Sequence, residues 1–184
     1  MPTYISILRG INVSGYKTIR MDALKKMYES LDFKAVQTYI QSGNVIFQYK
    51  ATEIEKLEKR IAKKISEQFS FEVPLIVKSF EELNEIIMKN PFAGDPSKDE
   101  AYLHVTFLSA LPEKKHVEKI LDVKYNRDEF AIFDKAIYLY CPDGYGNSKF
   151  TNTFLEGKLK VVATTRNWKT TKELLSMAEK LQAK

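Results

Sequence analysis

Cysteine and histidine are almost missing from this chain of 184 residues, which holds one cysteine, Cys141, and two histidines, His104 and His116. A lone cysteine excludes an internal disulfide and any zinc or iron–sulfur site built from several thiolates. Two histidines leave little for a histidine-rich metal centre, so neither a metal nor another cofactor is expected. Long apolar runs are missing too: none approaches the roughly 18 residues of a membrane span. The opening Met1-Pro2-Thr3-Tyr4 lacks the charged and apolar regions of a signal peptide. The expectation is a cytoplasmic protein with no membrane partner. What is there is enough for a core. Hydrophobic residues make up 44% and charged residues 29%, a balance that folds rather than stays disordered. The length suits one ordinary domain or two small ones.

Acidic residues are scarce only at one end. Residues 158–184 hold seven Lys or Arg against two acids, Glu173 and Glu179, while the first 157 residues hold twenty-two of each sign. The whole net charge of +5 therefore sits in the last segment. A basic end favours anionic partners such as nucleic acid, nucleotides or phosphorylated metabolites. A solvated surface helix has the same composition.

Hydrophobic periodicity predicts a strand over 3–9, a glycine-containing loop, and a helix over 21–31 carried by Leu24, Met27, Tyr28 and Leu31. A hairpin follows over 35–40 and 44–49 around Gln41-Ser42-Gly43. Next come a charged helix over 53–69, with Thr52 as its N-cap, and a strand over 73–77. The second half repeats the order: a strand over 102–108, a helix over 113–121 and strands over 130–133 and 136–141. A helix starting after Asn147-Ser148, a strand over 160–164 and a last helix to 181 complete it. The order βαββαβ is the split pattern of ferredoxin-like folds. The expected fold class is α+β, with two ferredoxin-like subdomains over 1–78 and 101–184 joined by a connecting helix and loop over 79–100. No low-complexity linker separates them, so they are expected to pack together.

Four motifs in order carry a family resemblance: Leu8-Arg9-Gly10-Ile11-Asn12-Val13, Thr38-Tyr39-Ile40-Gln41-Ser42-Gly43-Asn44-Val45, Asn147-Ser148-Lys149-Phe150-Thr151-Asn152 and Ala163-Thr164-Thr165-Arg166-Asn167-Trp168. Over nearly its whole length the chain resembles the bacterial domain-of-unknown-function 1697 family. It departs from that pattern at Ser14 and Asp32, where glycine would be usual. The resemblance implies a cytosolic bacterial protein with two ferredoxin-like subdomains, no assigned activity and no catalytic residues to carry over.

The site must therefore be sought in the residues themselves. Gly10 to Thr18 is similar to a phosphate-binding G-x-x-x-x-G-K-[ST] loop, but Tyr16 adds a residue before Lys17 and the helix begins too late for its N–H groups to meet a phosphate. A plain glycine turn or a looser anion nest are the readings left open. In a split βαββαβ sheet the first and third strands are neighbours, which sets Arg9 and Asn12 beside Ser42 and Asn44 at one edge. The alternative is a turn at Gly43-Asn44 with Arg9 in a surface salt bridge.

In the second half the third and fourth strands are expected to run parallel. Their ends would gather Ser148 and Lys149 with Thr165, Arg166 and Asn167 beside two helix N-termini, a setting that suits a phosphate or carboxylate. Plain N-capping by Asn147, Ser148 or Asn167 competes with that reading. Tyr102, Tyr138 and Tyr140 alternate with apolar neighbours and are expected either on an open sheet face, as a base-stacking platform, or in a core between subdomains. Cys141 before Pro142 reads as a structural thiol and His104 as a structural histidine.

The function these residues favour is binding of an anionic small molecule or single-stranded nucleic acid at a polar sheet edge. An enzyme acting on a phosphorylated or carboxylated small molecule, or a protein-interaction module, are the alternatives.

Overall fold

The computed structural model describes residues 1–183, which divide into two units: Met1–Glu85 together with the chain from Glu173 onward, and Ile86–Lys172. In the first unit the elements are β1 (Thr3–Leu8), α1 (Met21–Glu29), β2 (Lys34–Tyr39), β3 (Asn44–Gln48), α2 (Ile54–Phe69) and β4 (Leu75–Ser79). Helix α3 (Phe80–Met88) leads on to β5 (Leu103–Leu108), α4 (Lys114–Leu121), β6 (Glu129–Phe133), β7 (Ala136–Tyr140), α5 (Asn152–Leu159), β8 (Ala163–Asn167) and α6 (Trp168–Gln182). Each unit has one four-stranded antiparallel sheet, in the order β2-β3-β1-β4 and β6-β7-β5-β8. The fold is mixed α+β in two units. Residues 173–183 group with the first unit rather than with the expected second subdomain, and Gln48 Nε2 donates to the Leu181 carbonyl there at 3.1 Å.

The first unit's core follows from sequence spacing. Leu24, Met27 and Tyr28 of α1 and Leu57, Ile61 and Ile65 of α2 recur every three or four residues and bury one stripe of each helix. They pack with Tyr4, Leu8, Val45, Phe47 and Val77 on one face of the sheet. Phe33 stacks on Phe47 with ring centroids 4.3 Å apart. Within this apolar layer Ser6 Oγ and the Tyr28 hydroxyl meet at 2.7 Å, which satisfies both buried oxygens. The other strand parity, Ile5, Ile7, Ile46 and Ile76, is buried as well.

The second unit's helix-side core comprises Leu108, Ile120, Ile137, Leu139, Cys141, Phe150, Leu155, Leu159 and Ala163. Three local expectations are corrected here. Helix α2 begins at Ile54 after an extended Glu53 that makes no side-chain cap, so Thr52 is not its N-cap. Helix α5 begins at Asn152, not after Ser148, because the Thr151 hydroxyl accepts from the Phe154 N–H and fixes the start. The last strand begins at Ala163 rather than residue 160. Lys160 is left-handed (φ 60) as it closes α5, so the extended strand starts only after it.

Candidate functional site

The end of β1 in the first unit is built around Asn12. Its Nδ2 donates to the Ile19 carbonyl (2.9 Å) and the Gln41 carbonyl (2.8 Å), and its Oδ1 accepts from the Ile19 N–H (2.8 Å). One amide thus closes the loop between β1 and α1 and ties it to the β2–β3 turn. That turn is held by Asn44, a buried side chain whose Nδ2 donates to the Tyr39 carbonyl and to Ser42 Oγ, both at 3.0 Å. Ile7 pairs with Asn44 across the strands, and the Leu8 N–H donates to the Gly43 carbonyl at 2.9 Å. The expected edge is therefore present as a piece of geometry. Asn12, Ser42 and Asn44 hold it together, and their polar atoms are engaged inside it.

Gly43 is the close contact at this edge. It sits at φ 84, and a Cβ there would lie 2.7 Å from Ile11 Cδ1 and 2.8 Å from Leu8 Cβ. Only glycine lets the turn approach that closely.

The loop itself is unusually twisted. Gly10, Asn12, Ser14, Gly15 and Lys17 all have positive φ, five of eight consecutive positions. Three of them are not glycine, and each left-handed non-glycine residue stores local strain. The Tyr16 N–H donates to the Val13 carbonyl at 2.9 Å, so the tip is a tight turn. It presents Tyr16 and Val13 at 77% and 58% exposure. The segment from Arg9 to Arg20 carries three cations and no acid: half-buried Arg9 and exposed Lys17 and Arg20. Lys17 Nζ donates to the Glu72 carbonyl at 2.6 Å, and Arg20 makes a two-pronged, exposed pair with Asp22 at 3.0 and 3.1 Å. Arg20 lies beyond the glycine pattern, and nothing in the sequence singled it out. The buried Lys78 on β4 was likewise unmarked, the one charge of that strand.

At the second-unit edge the strands run as expected, with β7 and β8 each antiparallel to β5 and so parallel to one another. The side chains do not gather as expected. Thr165 Oγ1 donates to Asn152 Oδ1 at 2.7 Å and lies 2.7 Å from Thr106 Oγ1, on the side where α5 packs. Arg166, the next residue along the strand, points to the opposite face. Lys149 is exposed and lies 5.5 Å from the Phe154 ring of α5. Strand alternation thus separates the two cations. Ser148 is buried and accepts from the Phe150 N–H at 3.0 Å, while Asn167 accepts from the Thr170 N–H at 2.8 Å as the cap of α6. Arg166 Nη1 donates to the Thr165 carbonyl at 3.0 Å, and burial lowers its pKa to about 10. The expected two-cation anion clamp is not formed.

The tyrosine platform is corrected by register. Val105 pairs with Tyr138 and Leu103 with Tyr140, so the tyrosines share a face with Leu103, Val105 and Phe107 rather than opposing them. Tyr138 is 1% exposed and its hydroxyl donates to the Ile86 carbonyl at 2.7 Å. Tyr140 is half-buried under Lys98 Nζ, 4.7 Å from its ring, and Tyr102 lies in a short 3-10 turn before β5. His104 falls on the other face, its ring stacked on Tyr145 at 4.8 Å, and burial lowers its pKa. Cys141 is fully buried, and its thiol pKa is pushed up to about 11 by that burial. Among the described residues no cluster of three His, Cys, Asp or Glu side chains is placed to hold a metal. No helix among them is long and apolar enough to cross a membrane.

With this geometry in hand, comparison with known proteins is informative about kinship. The model of the family described as protein of unknown function (DUF1697) matches residues 1–138. The chain belongs to that family. The DUF1697 chain is also similar to the structure of a conserved bacterial protein, SP0830 from Streptococcus pneumoniae, with a TM-score of 0.74 and 19% identity over 96% of this chain and 98% of that one. At that identity the likeness speaks for the fold alone. No curated protein matches the sequence.

The two positions where the resemblance led one to expect glycine have a physical meaning here. Ser14 and Asp32 are both left-handed, at φ 49 and φ 60. Glycine would take either conformation without strain. At both positions a residue with a Cβ carries that strain.

Proposed function

We propose that this protein binds single-stranded nucleic acid through the loop between β1 and α1, with Tyr16 stacking on a base and Arg9, Lys17 and Arg20 meeting phosphates. The observation that carries the reading is the combination along one loop: an exposed aromatic tip and three cations with no acid between them in sequence, on a backbone tied down by Asn12. A stacking side chain beside cations is what sequence-tolerant single-strand binding uses. The exposed Arg20–Asp22 pair contributes little by itself, so exchanging the carboxylate for a phosphate costs little. In this reading Asn12, Ser42 and Asn44 position the loop, and the contact residues are Tyr16, Arg9, Lys17 and Arg20. The βαββαβ order with central β1 and β3, repeated with β5 and β7, supports a ferredoxin-like description of each unit.

Fluorescence anisotropy with labelled oligonucleotides tests it. Binding should weaken steeply between 50 and 200 mM salt, as counterion release requires. Tyr16→Ala should weaken it by roughly 1–3 kcal/mol with no change in melting temperature. A chain that binds no oligonucleotide at low salt, or binds equally well without Tyr16, refutes the assignment. Turnover of a phosphorylated small molecule would favour the enzyme reading instead.

A further inference from the structure

Residues in sparsely populated backbone conformations persist only where the surrounding structure enforces them, and they gather at binding sites. Among the described residues Ile40, in the turn between β2 and β3, is the only β-branched residue with positive φ, at φ 49. Branching at Cβ makes that conformation a genuine outlier, one that glycine or asparagine adopts at less cost. Core packing does not require it, since Ile40 is 48% exposed and lies outside the first unit's apolar cluster. The turn does not require it either. Its braces run from Asn44 to the Tyr39 carbonyl and Ser42 Oγ, and from Asn12 to the Gln41 carbonyl, and none of them uses the Ile40 side chain.

Ile40 does not stand alone. Asn12 precedes Val13 and Ile40 precedes Gln41, so the 2.8 Å bond from the Asn12 amide to the Gln41 carbonyl sets Val13 and Ile40 on adjoining loops. Val13 is bridged in turn to Tyr16. Apart from Met1, these are the exposed large hydrophobic residues among those described in the first unit, and they share one end of it. Neither loop contributes a carboxylate, because residues 9–20 and 33–52 contain no Asp or Glu. Arg9, Lys17 and Arg20 lie on the same stretch as Val13 and Tyr16. Apolar side chains and cations without carboxylates suit a partner with flat apolar faces and regular negative charge, which is the chemistry of a single strand.

On the single-strand reading above, we infer that the strand crosses both loops, with the base next to the one on Tyr16 packing against Ile40. The turn between β2 and β3 is then a contact surface as well as a partner of the loop that Asn12 ties down. Aliphatic side chains, like aromatic ones, pack on base faces in this way.

Fluorescence anisotropy with a labelled oligonucleotide tests it, using Ile40→Asn, Ile40→Leu and Tyr16→Ala. Asparagine suits the left-handed backbone and lacks the apolar face, whereas leucine keeps an apolar side chain. Ile40→Asn should weaken binding by roughly fivefold, as loss of about half an isoleucine's burial implies. Its melting temperature should change little, because relief of strain offsets the burial lost in the free protein. Ile40→Leu should bind like the wild type. If Ile40→Asn binds like the wild type while Tyr16→Ala binds weakly, this inference falls and the single-strand reading stands. A wild type that binds no oligonucleotide at low salt overturns both. Should Ile40→Asn unfold, competition on the wild type decides: a dinucleotide should compete better than a mononucleotide, and equal competition overturns the inference.

Discussion

Replacing Asp32 by glycine should make the protein more stable, although it deletes a charged side chain. Asp32 follows α1 at φ 60, and its N–H closes the helix end on the Glu29 carbonyl at 3.1 Å. For a residue with a Cβ the left-handed conformation costs about 1–2 kcal/mol, with aspartate toward the low end. Glycine removes that cost but gives back about 0.4–1 kcal/mol through its freer unfolded chain. The side chain itself contributes little. Its carboxylate stands 3.9 Å from Arg60, and the two side chains are 83% and 38% exposed, where such a pair is worth at most a few tenths of a kcal/mol. Arg60 is held without it, since it donates to the Tyr49 hydroxyl at 2.8 Å and lies over the Phe33 and Tyr49 rings. The net gain is about 0.5 kcal/mol, or roughly 1–2 °C in melting temperature for a chain of this size. Asp32→Ala keeps the strain and loses the pair, so it should fall below the wild type. Urea unfolding followed by far-ultraviolet circular dichroism should separate glycine from alanine by roughly 0.5–1 kcal/mol at unchanged slope. If alanine proves as stable as glycine, backbone strain at this position is not what the substitution relieves.

Two further expectations concern single residues. Gly43→Ala combines a left-handed cost with overlap on Leu8 and Ile11, so it should destabilise by roughly 2–4 kcal/mol in the same assay; a change under about 1 kcal/mol would show that the turn gives way. His104 has its folded-state pKa lowered by burial, so the unfolded chain binds the proton more readily. The stability it contributes is complete above about pH 6.5 and is lost as pH falls from there through the lower folded-state value. Chemical unfolding at pH 7.5 and pH 5 should show that loss, and His104→Gln should reduce it.

Much of the fold was legible because amphipathic period and turn chemistry agree locally. The stripes of α1 and α2 and the β2–β3 and β6–β7 hairpins lie within a few residues of their predicted bounds. The misreadings at the second-unit edge share one cause, which is parity. In β5 and β7 both alternating sets are buried, so no polar face marks the register. Tyr138 and Tyr140 were therefore set on the wrong side relative to Leu103 and Val105. A three-residue shift in the start of β8 likewise turned Thr165, Arg166 and Asn167 from loop residues into strand residues, whose side chains must diverge. At the first-unit edge the sequence indicated that Arg9, Asn12, Ser42 and Asn44 meet. It did not indicate that three of them are braces, because a side-chain amide that spans 29 residues to a carbonyl leaves no mark in either segment.

Cys141 gives the second unit its own clock. The only thiol of the chain is sealed within the helix-side core beneath α5, and burial keeps it protonated at neutral pH. An alkylating reagent meets it only during the intervals when that core opens. The rate of covalent capture is therefore a direct count of openings in the second unit, blind to fraying of α1, α2 or the loop between β1 and α1. Because the first unit has no thiol to compete, the opening rate of the second unit is read by itself, without placing a label anywhere in the chain.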